Sequence, residues 1–143
     1  MGIDLSLKLG EVVEADSASF VAQSYELYQS PALGSLVRTR CEDVDIYAVV
    51  HLATTAAAEP GRRPLARGRD AEAEADVYRD NPQLARLLLT HFSALVVGHC
   101  QEGHVHQYLP PQPARVHGFV WGCTAEEVAR FGQSLDFLHL PDG

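Results

Sequence analysis

Lysine is almost missing from this chain: Lys8 stands alone among 143 residues. A phosphate-binding loop closes on Gly-Lys-Ser/Thr, where backbone amides and the ammonium hold the β- and γ-phosphates. Lys8 is followed by Leu9, so that machinery is excluded within these residues. A Gly-x-Ser-x-Gly elbow is absent too, and Ser19, Ser35 and Ser93 stand in strand-like settings with no such turn to present a hydroxyl. Cysteine is scarce: Cys41, Cys100 and Cys123 show no Cys-x-x-Cys spacing, which fits buried reduced thiols better than a disulfide framework. No run approaches the roughly 20 apolar residues that span a bilayer. The opening Met1-Gly2-Ile3-Asp4-Leu5-Ser6 has neither the basic nor the apolar region of a secretory leader. A cytoplasmic protein without membrane contact is expected.

Positive charge is also short, with 11 basic against 19 acidic residues and a net charge of −8. Duplex affinity comes largely from cations that displace condensed counterions, so independent duplex binding is disfavoured. Ten of the eleven basic residues are arginine, the side chain that grips carboxylate and phosphate in a planar, two-point manner.

The chain does hold enough apolar residues, 46%, to build one core of ordinary domain size. Short runs broken by turns fill its first half: Leu9 to Val13, Ser19 to Ala22, Leu33 to Val37 and Val44 to Val50. Turn signals fall at Ala15-Asp16-Ser17, Ser30-Pro31 and Glu42-Asp43. From Ile46 to Leu52 the run is nearly continuous and predicts a central strand covered on both faces. Residues 56–68, with two prolines and two glycines, read as a long loop.

Asn81-Pro82 is a helix start, and Leu84, Leu87, Leu88 and His91 then share one helical face. Phe92 to Cys100 and Val105 to Leu109 read as strands paired around Gln101-Glu102-Gly103, where glycine supplies a positive φ cheaply. A further strand is expected over Val116 to Trp121. Pro110-Pro111-Gln112-Pro113 is a stiff spacer. Thr124-Ala125-Glu126-Glu127 is a capping box, opening a short helix that carries Val128 and Phe131 and ends at Gly132, with an apolar tail at Leu135 and Leu138.

The strand order over Gly10 to Thr54, with the Leu33-Gly34-Ser35-Leu36-Val37 turn, resembles the HAS-barrel, the small barrel that opens HerA-type ATPases and rotary ATP synthase subunits. The Pro110-Pro111 segment extends the likeness, since a proline-containing stretch leads from barrel to ATPase domain in HerA-type chains. The resemblance implies an α+β, mainly β fold: a small closed six-stranded barrel with a few short helices. The expected layout is a single domain over residues 1–143. The barrel spans 5–120 with an inserted loop at 55–69 and a helix at 81–91, and short helices follow at 124–140. In the relatives, barrels meet around a ring and the catalytic residues lie in the ATPase domain. No catalytic residue is carried over here.

Three groups are candidates for chemistry. His99, Cys100, His104 and His106 lie on the expected hairpin, where His104 and His106 share a face and His99 approaches across the turn, offering nitrogens to zinc. The tight paired spacings of structural zinc sites are missing, so an ordinary histidine-bearing hairpin is preferred and no metal or cofactor is expected. Arg62, Arg63, Arg67 and Arg69 are followed by Asp70, Glu72, Glu74 and Asp76. Pairing within the loop or between subunits is favoured over phosphate binding. Tyr25, Leu27, Tyr28 and Trp121 are candidate interface anchors, since aromatic side chains dominate such surfaces. For each of them the core is the competing location. His51 and His117, in apolar strand patterns, are expected to make core hydrogen bonds, and His91 and His139 to pack. Asp43 and Asp45 read as turn residues.

These readings converge on a non-enzymatic assembly or docking module that self-associates or binds a HerA-type ring ATPase. The alternatives are a small barrel holding single-stranded nucleic acid, with Tyr25, Tyr28 or Tyr47 stacking on bases, and a metal-dependent hydrolase built on the histidine hairpin.

Overall fold

A computed structural model describes residues 7–59 and 61–133. The strands are β1 (Lys8–Ala15), β2 (Ser19–Ser24), β3 (Leu36–Cys41), β4 (Val44–Ala57), β5 (Leu88–Gln101), β6 (His104–His106) and β7 (Phe119–Gly122). The helices are α1 (Glu74–Asp80), α2 (Leu84–Leu87) and α3 (Ala125–Gln133). Pairing runs β2-β1-β7-β3-β4-β5, and β2 also pairs β5, so six antiparallel strands close on themselves. Closure removes the free edges that an open sheet exposes to other chains. β6 lies outside the cylinder, on the stretch of β5 beyond the end of β2.

Alternation along each strand decides what fills the barrel. Val12, Phe20, Ala22, Val37, Ile46, Ala48, Val50, Phe92, Ala94 and Val120 point inward and are buried. Across the β2–β5 seam Phe20 sits opposite Ala94 and Ala22 opposite Phe92, so each ring faces a small partner and the two interleave. Thr39 is the one hydroxyl among the fully buried large side chains. It donates to the Phe119 carbonyl at 2.7 Å, which ties the four-residue β7 to β3 and satisfies a group that would be costly to bury unpaired.

Turn chemistry is local. The Asp16 carboxylate accepts the Ala18 and Ser19 amides at 2.8 and 2.9 Å, the backbone mimicry typical of aspartate. Glu102 and Gly103 both have positive φ between paired Gln101 and His104, the two-residue hairpin geometry that matches strand twist.

The capping box forms as expected. The Thr124 amide donates to Glu127 Oε1 at 2.8 Å and the Glu127 amide to Thr124 Oγ1 at 3.1 Å. The other oxygen of Glu127 takes Arg38 Nε of β3 at 2.8 Å, so one carboxylate both starts α3 and anchors it to the barrel. Thr124→Ala is expected to cost about 1 kcal/mol, read as a lower urea midpoint with an unchanged slope.

Several elements differ from the sequence reading. The helix expected over 81–91 is only α2, Leu84–Leu87. Leu88 to His91 instead begin β5, paired with Ala57 to Thr54 of β4, because cross-strand hydrogen bonding outweighs a leucine pattern that fits either period. β4 correspondingly runs to Ala57, so the inserted segment starts later than residue 55 and contains α1 as well. β3 begins at Leu36 rather than Leu33, since Gly34 holds a positive-φ turn. β6 ends at His106 rather than Leu109, and β7 starts at Phe119 rather than Val116. Gly132 lies inside α3. Burial of β4 on both faces holds for Ile46, Tyr47 and Ala48, while His51 and Leu52 are exposed. The tail containing Leu135, Leu138 and His139 lies outside the described residues.

Candidate functional site

The outside of the barrel is unevenly covered. α3 lies across β3, β4 and β5: the Phe131 ring sits 5.0 Å from that of Tyr47, and the Arg130 guanidinium bonds the Tyr47 hydroxyl. Burial pushes the Tyr47 hydroxyl above its ordinary pKa. Beneath α3, Gly98 leaves room for the Phe131 ring and the His106 carbonyl.

Among the described residues nothing packs over the outer face of β7 and β1 beyond α3, and side chains of β3, β7 and β1 form a row there with Tyr25, the residue after β2. Register places Trp121 between Arg38 of β3 and Lys8 of β1, and Phe119 opposite Glu11. The Arg38 guanidinium lies 5.7 Å from the Trp121 ring centre, Trp121 meets Phe119 edge to face at 6.4 Å, and Lys8 Nζ stands 4.2 Å from the Phe119 centre and 5.8 Å from that of Tyr25. Arg38 therefore packs on one end of the Trp121–Phe119 ring pair and Lys8 on the other, each cation over a negative ring face. Phe119 is 44% and Tyr25 45% exposed. The chain's one lysine is thus committed to two aromatic rings.

The same face carries a carboxylate network. Glu11 accepts Tyr25 Oη at 2.8 Å and His117 Nδ1 at 2.6 Å. The His117 bond, then that of Tyr25, lower the Glu11 pKa from its ordinary value, while desolvation followed by the Glu11 bond pushes the Tyr25 hydroxyl up to about 12. His117 adopts a left-handed backbone, φ 74°. Its amide still pairs with the Val12 carbonyl at 2.7 Å, and that turn aims the ring at Glu11. The expected core role for His117 is therefore corrected: its side chain is 79% exposed. His51, at an irregularity of β4, is exposed as well.

A second apolar patch lies across the cylinder. Leu52 of β4 is 50% and Leu95 of β5 47% exposed, and half-buried Val49 pairs with Leu95 between them. Counting round the closed order β1-β7-β3-β4-β5-β2, β4 is three strands from β1 and β5 three from β7. The aromatic row and the leucine patch therefore sit on opposite sides.

The other candidates separate. His99 is buried and its Nδ1–H donates to the Tyr108 carbonyl at 3.0 Å. His99, His106 and Tyr108 form a ring cluster with centres 4.9–5.3 Å apart, while His104 is exposed. Among the described residues no group of three or more His, Cys, Asp or Glu is placed to hold a metal. The hairpin stacks rings rather than gathering nitrogens. Cys100 and Cys123 are half-buried and Cys41 buried, and burial pushes the Cys123 thiol up to about 12, away from reactive thiolate.

Tyr28 is exposed but stands apart from the row, its hydroxyl bonded to Tyr78 of α1. Leu27 is half-buried. Tyr47, under α3, presents no free ring for a base. Asp45 takes Arg40 at 2.9 Å. The acidic stretch does not close on the arginine loop: Asp76 pairs with Arg79 at 2.9 Å, and Arg62 reaches only Glu59 at 3.8 Å.

Sequence reasoning named Tyr25 and Trp121 but missed Phe119, Lys8 and Arg38. Their signal is topological: the row exists only once β7 is known to lie between β1 and β3. No protein-family model and no curated protein matches the chain.

Proposed function

We propose that the chain is a non-enzymatic assembly module, a barrel of the HAS type, that associates head to tail with copies of itself. The observation that carries this reading is the placement of two unlike apolar patches on opposite sides of the closed cylinder, the aromatic row on β7 and β1 and the leucine patch on β4 and β5. Two different patches that complement each other make a heterologous contact, which closes into a ring when the rotation per subunit allows. Aromatic and arginine side chains are the usual anchors of such contacts. A HerA-type ring ATPase is the partner that the barrel resemblance suggests, with the assembled barrels stacking on its ring.

Light scattering across protein concentration tests the reading. The wild-type protein is expected to show a mass several times 15.6 kDa. Phe119→Arg and Leu95→Arg, each removing one patch, are expected to run as monomers. Mixed together they retain one intact patch of each kind and are expected to form a two-chain complex that grows no further. A wild-type monomer at every concentration would overturn the proposal, and so would a dimer formed by either variant alone, which would mean a symmetric contact. Protection of Lys8 from acylation in the assembled form is a second readout, specific because no other lysine competes.

A further inference from the structure

The hairpin of β4 and β5 runs past the end of β2, from Thr55 to Ala57 on one strand and from Leu88 to Thr90 on the other. Its 30-residue connection folds back on that extension and encloses a pocket of about 340 Å³. Two materials line it. Leu65, Leu84 and Leu87 form apolar walls, and Arg62, Arg63 and Arg67 stand around them, three guanidiniums against the single carboxylate of Glu59.

Neither set is satisfied by the protein itself. Leu65 is 74% and Leu87 49% exposed, although water contact costs roughly 25 cal/mol for each Å² of apolar surface. Arg62 has one long ion pair with Glu59, both side chains 71% exposed. Arg63 and Arg67 have no ion pair among the described residues, in a chain with 19 carboxylates. Residues 61–69 hold four arginines and no acid, so the local charge opposes that of the whole.

We infer that this pocket is a binding site for a small amphipathic anion, a single carboxylate or phosphate head on a compact apolar body. The guanidinium forks would take the head through charge-assisted, two-point hydrogen bonds, and the leucines would take the body. The volume is at the small end of ligand pockets, roughly 300–1,000 Å³. At about 30 Å³ per water-sized atom it holds roughly eleven such atoms. That is the size of a medium-chain fatty acid. A polyphosphate chain fits poorly, since the apolar walls offer it nothing and the net charge of −8 repels it. The inference is independent of the assembly reading, whose patches lie elsewhere on the barrel.

Titration calorimetry of the whole protein with decanoate, below its micelle-forming concentration, tests it, with decanol and inorganic phosphate as parallel probes. Decanoate is expected to bind at one site per chain, at least tenfold tighter than decanol and than phosphate, and less tightly as salt rises. The double variant Arg63→Gln/Arg67→Gln is expected to lose at least tenfold in decanoate affinity. Arg69→Gln, a charge change in the same segment but outside the pocket lining, is expected to leave it unchanged. An unaltered thermal transition shows that each variant is folded, and Leu87→Asn supplies an apolar-side variant expected to weaken decanoate more than phosphate. No decanoate binding, equal binding of decanol, phosphate binding as tight as decanoate, or equal losses for Arg69→Gln and the double variant would each overturn the inference.

Discussion

Phe92→Ala is expected to destabilise the protein by about 3–5 kcal/mol, the usual loss when a buried aromatic ring is cut to a methyl group. Phe92 is fully buried and stands at the seam where β2 meets β5 and the cylinder closes. Its ring also approaches Gly10 of β1, where an added Cβ would lie 3.3 Å from Phe92 Cε1. One side chain therefore touches three of the six strands. Alanine there leaves a cavity that β2 and β5 cannot collapse onto, because each is also held from its other side, β2 by β1 and β5 by β4. Against a total stability of roughly 5–15 kcal/mol the loss is a large fraction, and thermal melting is expected to fall by on the order of 10–20 °C.

A compensating variant separates packing from other causes. Ala22 faces Phe92 across the seam, so Phe92→Ala/Ala22→Phe restores the volume while exchanging the sides of ring and methyl. Volume-conserving exchanges cost less than cavities, and the double variant is expected to recover part of the lost stability. A double variant weaker than Phe92→Ala would show that the seam tolerates a ring only on β5, and a single variant losing under 1 kcal/mol would refute the packing argument.

How far the sequence announces all this depends on the range of the signal. The apolar strand run from Val44 to Val50, the Asp16 turn, the Glu102-Gly103 hairpin and the Thr124 to Glu127 capping box are settled by residues a few positions apart, and the structure has them. Leu84 to His91 illustrates the converse. The leucine spacing fits a helix, but Leu88 to His91 have backbone partners at Thr54 to Ala57, more than thirty residues away, and those bonds set the strand. α1 escaped notice for a different reason. It has no buried residue, so no apolar period marks it, and only the helix propensity of its alanine and glutamate residues hints at it.

The candidate site shows the same division. Tyr25 and Trp121 stand out as aromatic residues in a chain with one tryptophan and five tyrosines. That they belong to one row with Lys8, Phe119 and Arg38 depends on β7 inserting between β1 and β3. Lys8 and Phe119 are over a hundred positions apart. The arginine loop was visible as charge, while its apolar walls at Leu84 and Leu87 become a pocket only because α2 is short and the hairpin extends beneath it.

Gly98→Ala is expected to detach α3 from the barrel. A Cβ at this position would stand 2.4 Å from the His106 carbonyl oxygen and 2.9 Å from Phe131 Cε1. Real Cβ atoms do not approach so closely, and one of the two obstacles is backbone. The strain cannot be relieved by turning a side chain, so β6 and Phe131 must move outward together. Among the described side chains of α3 Phe131 is the buried one, and its carbonyl is held by Gln107 Nε2 at 3.1 Å, just past β6. Displacing the ring therefore loosens the helix and the crossing strand at once. The expected cost is about 1–3 kcal/mol, the range for overpacking, with the capping box and the Arg38–Glu127 pair left as the remaining hold on the first turn of α3. Because the barrel interior is untouched, β-sheet circular dichroism is expected to persist while limited proteolysis within α3 accelerates at least tenfold. A Tyr47 ring stripped of its cover would also add a third apolar sector to the outer face, beside the aromatic row and the leucine patch. Head-to-tail association that requires exactly two sectors is then expected to lose its defined mass and become heterogeneous. Wild-type protease resistance in Gly98→Ala would mean that α3 is not seated through Phe131, and the uneven covering of the barrel would need another cause.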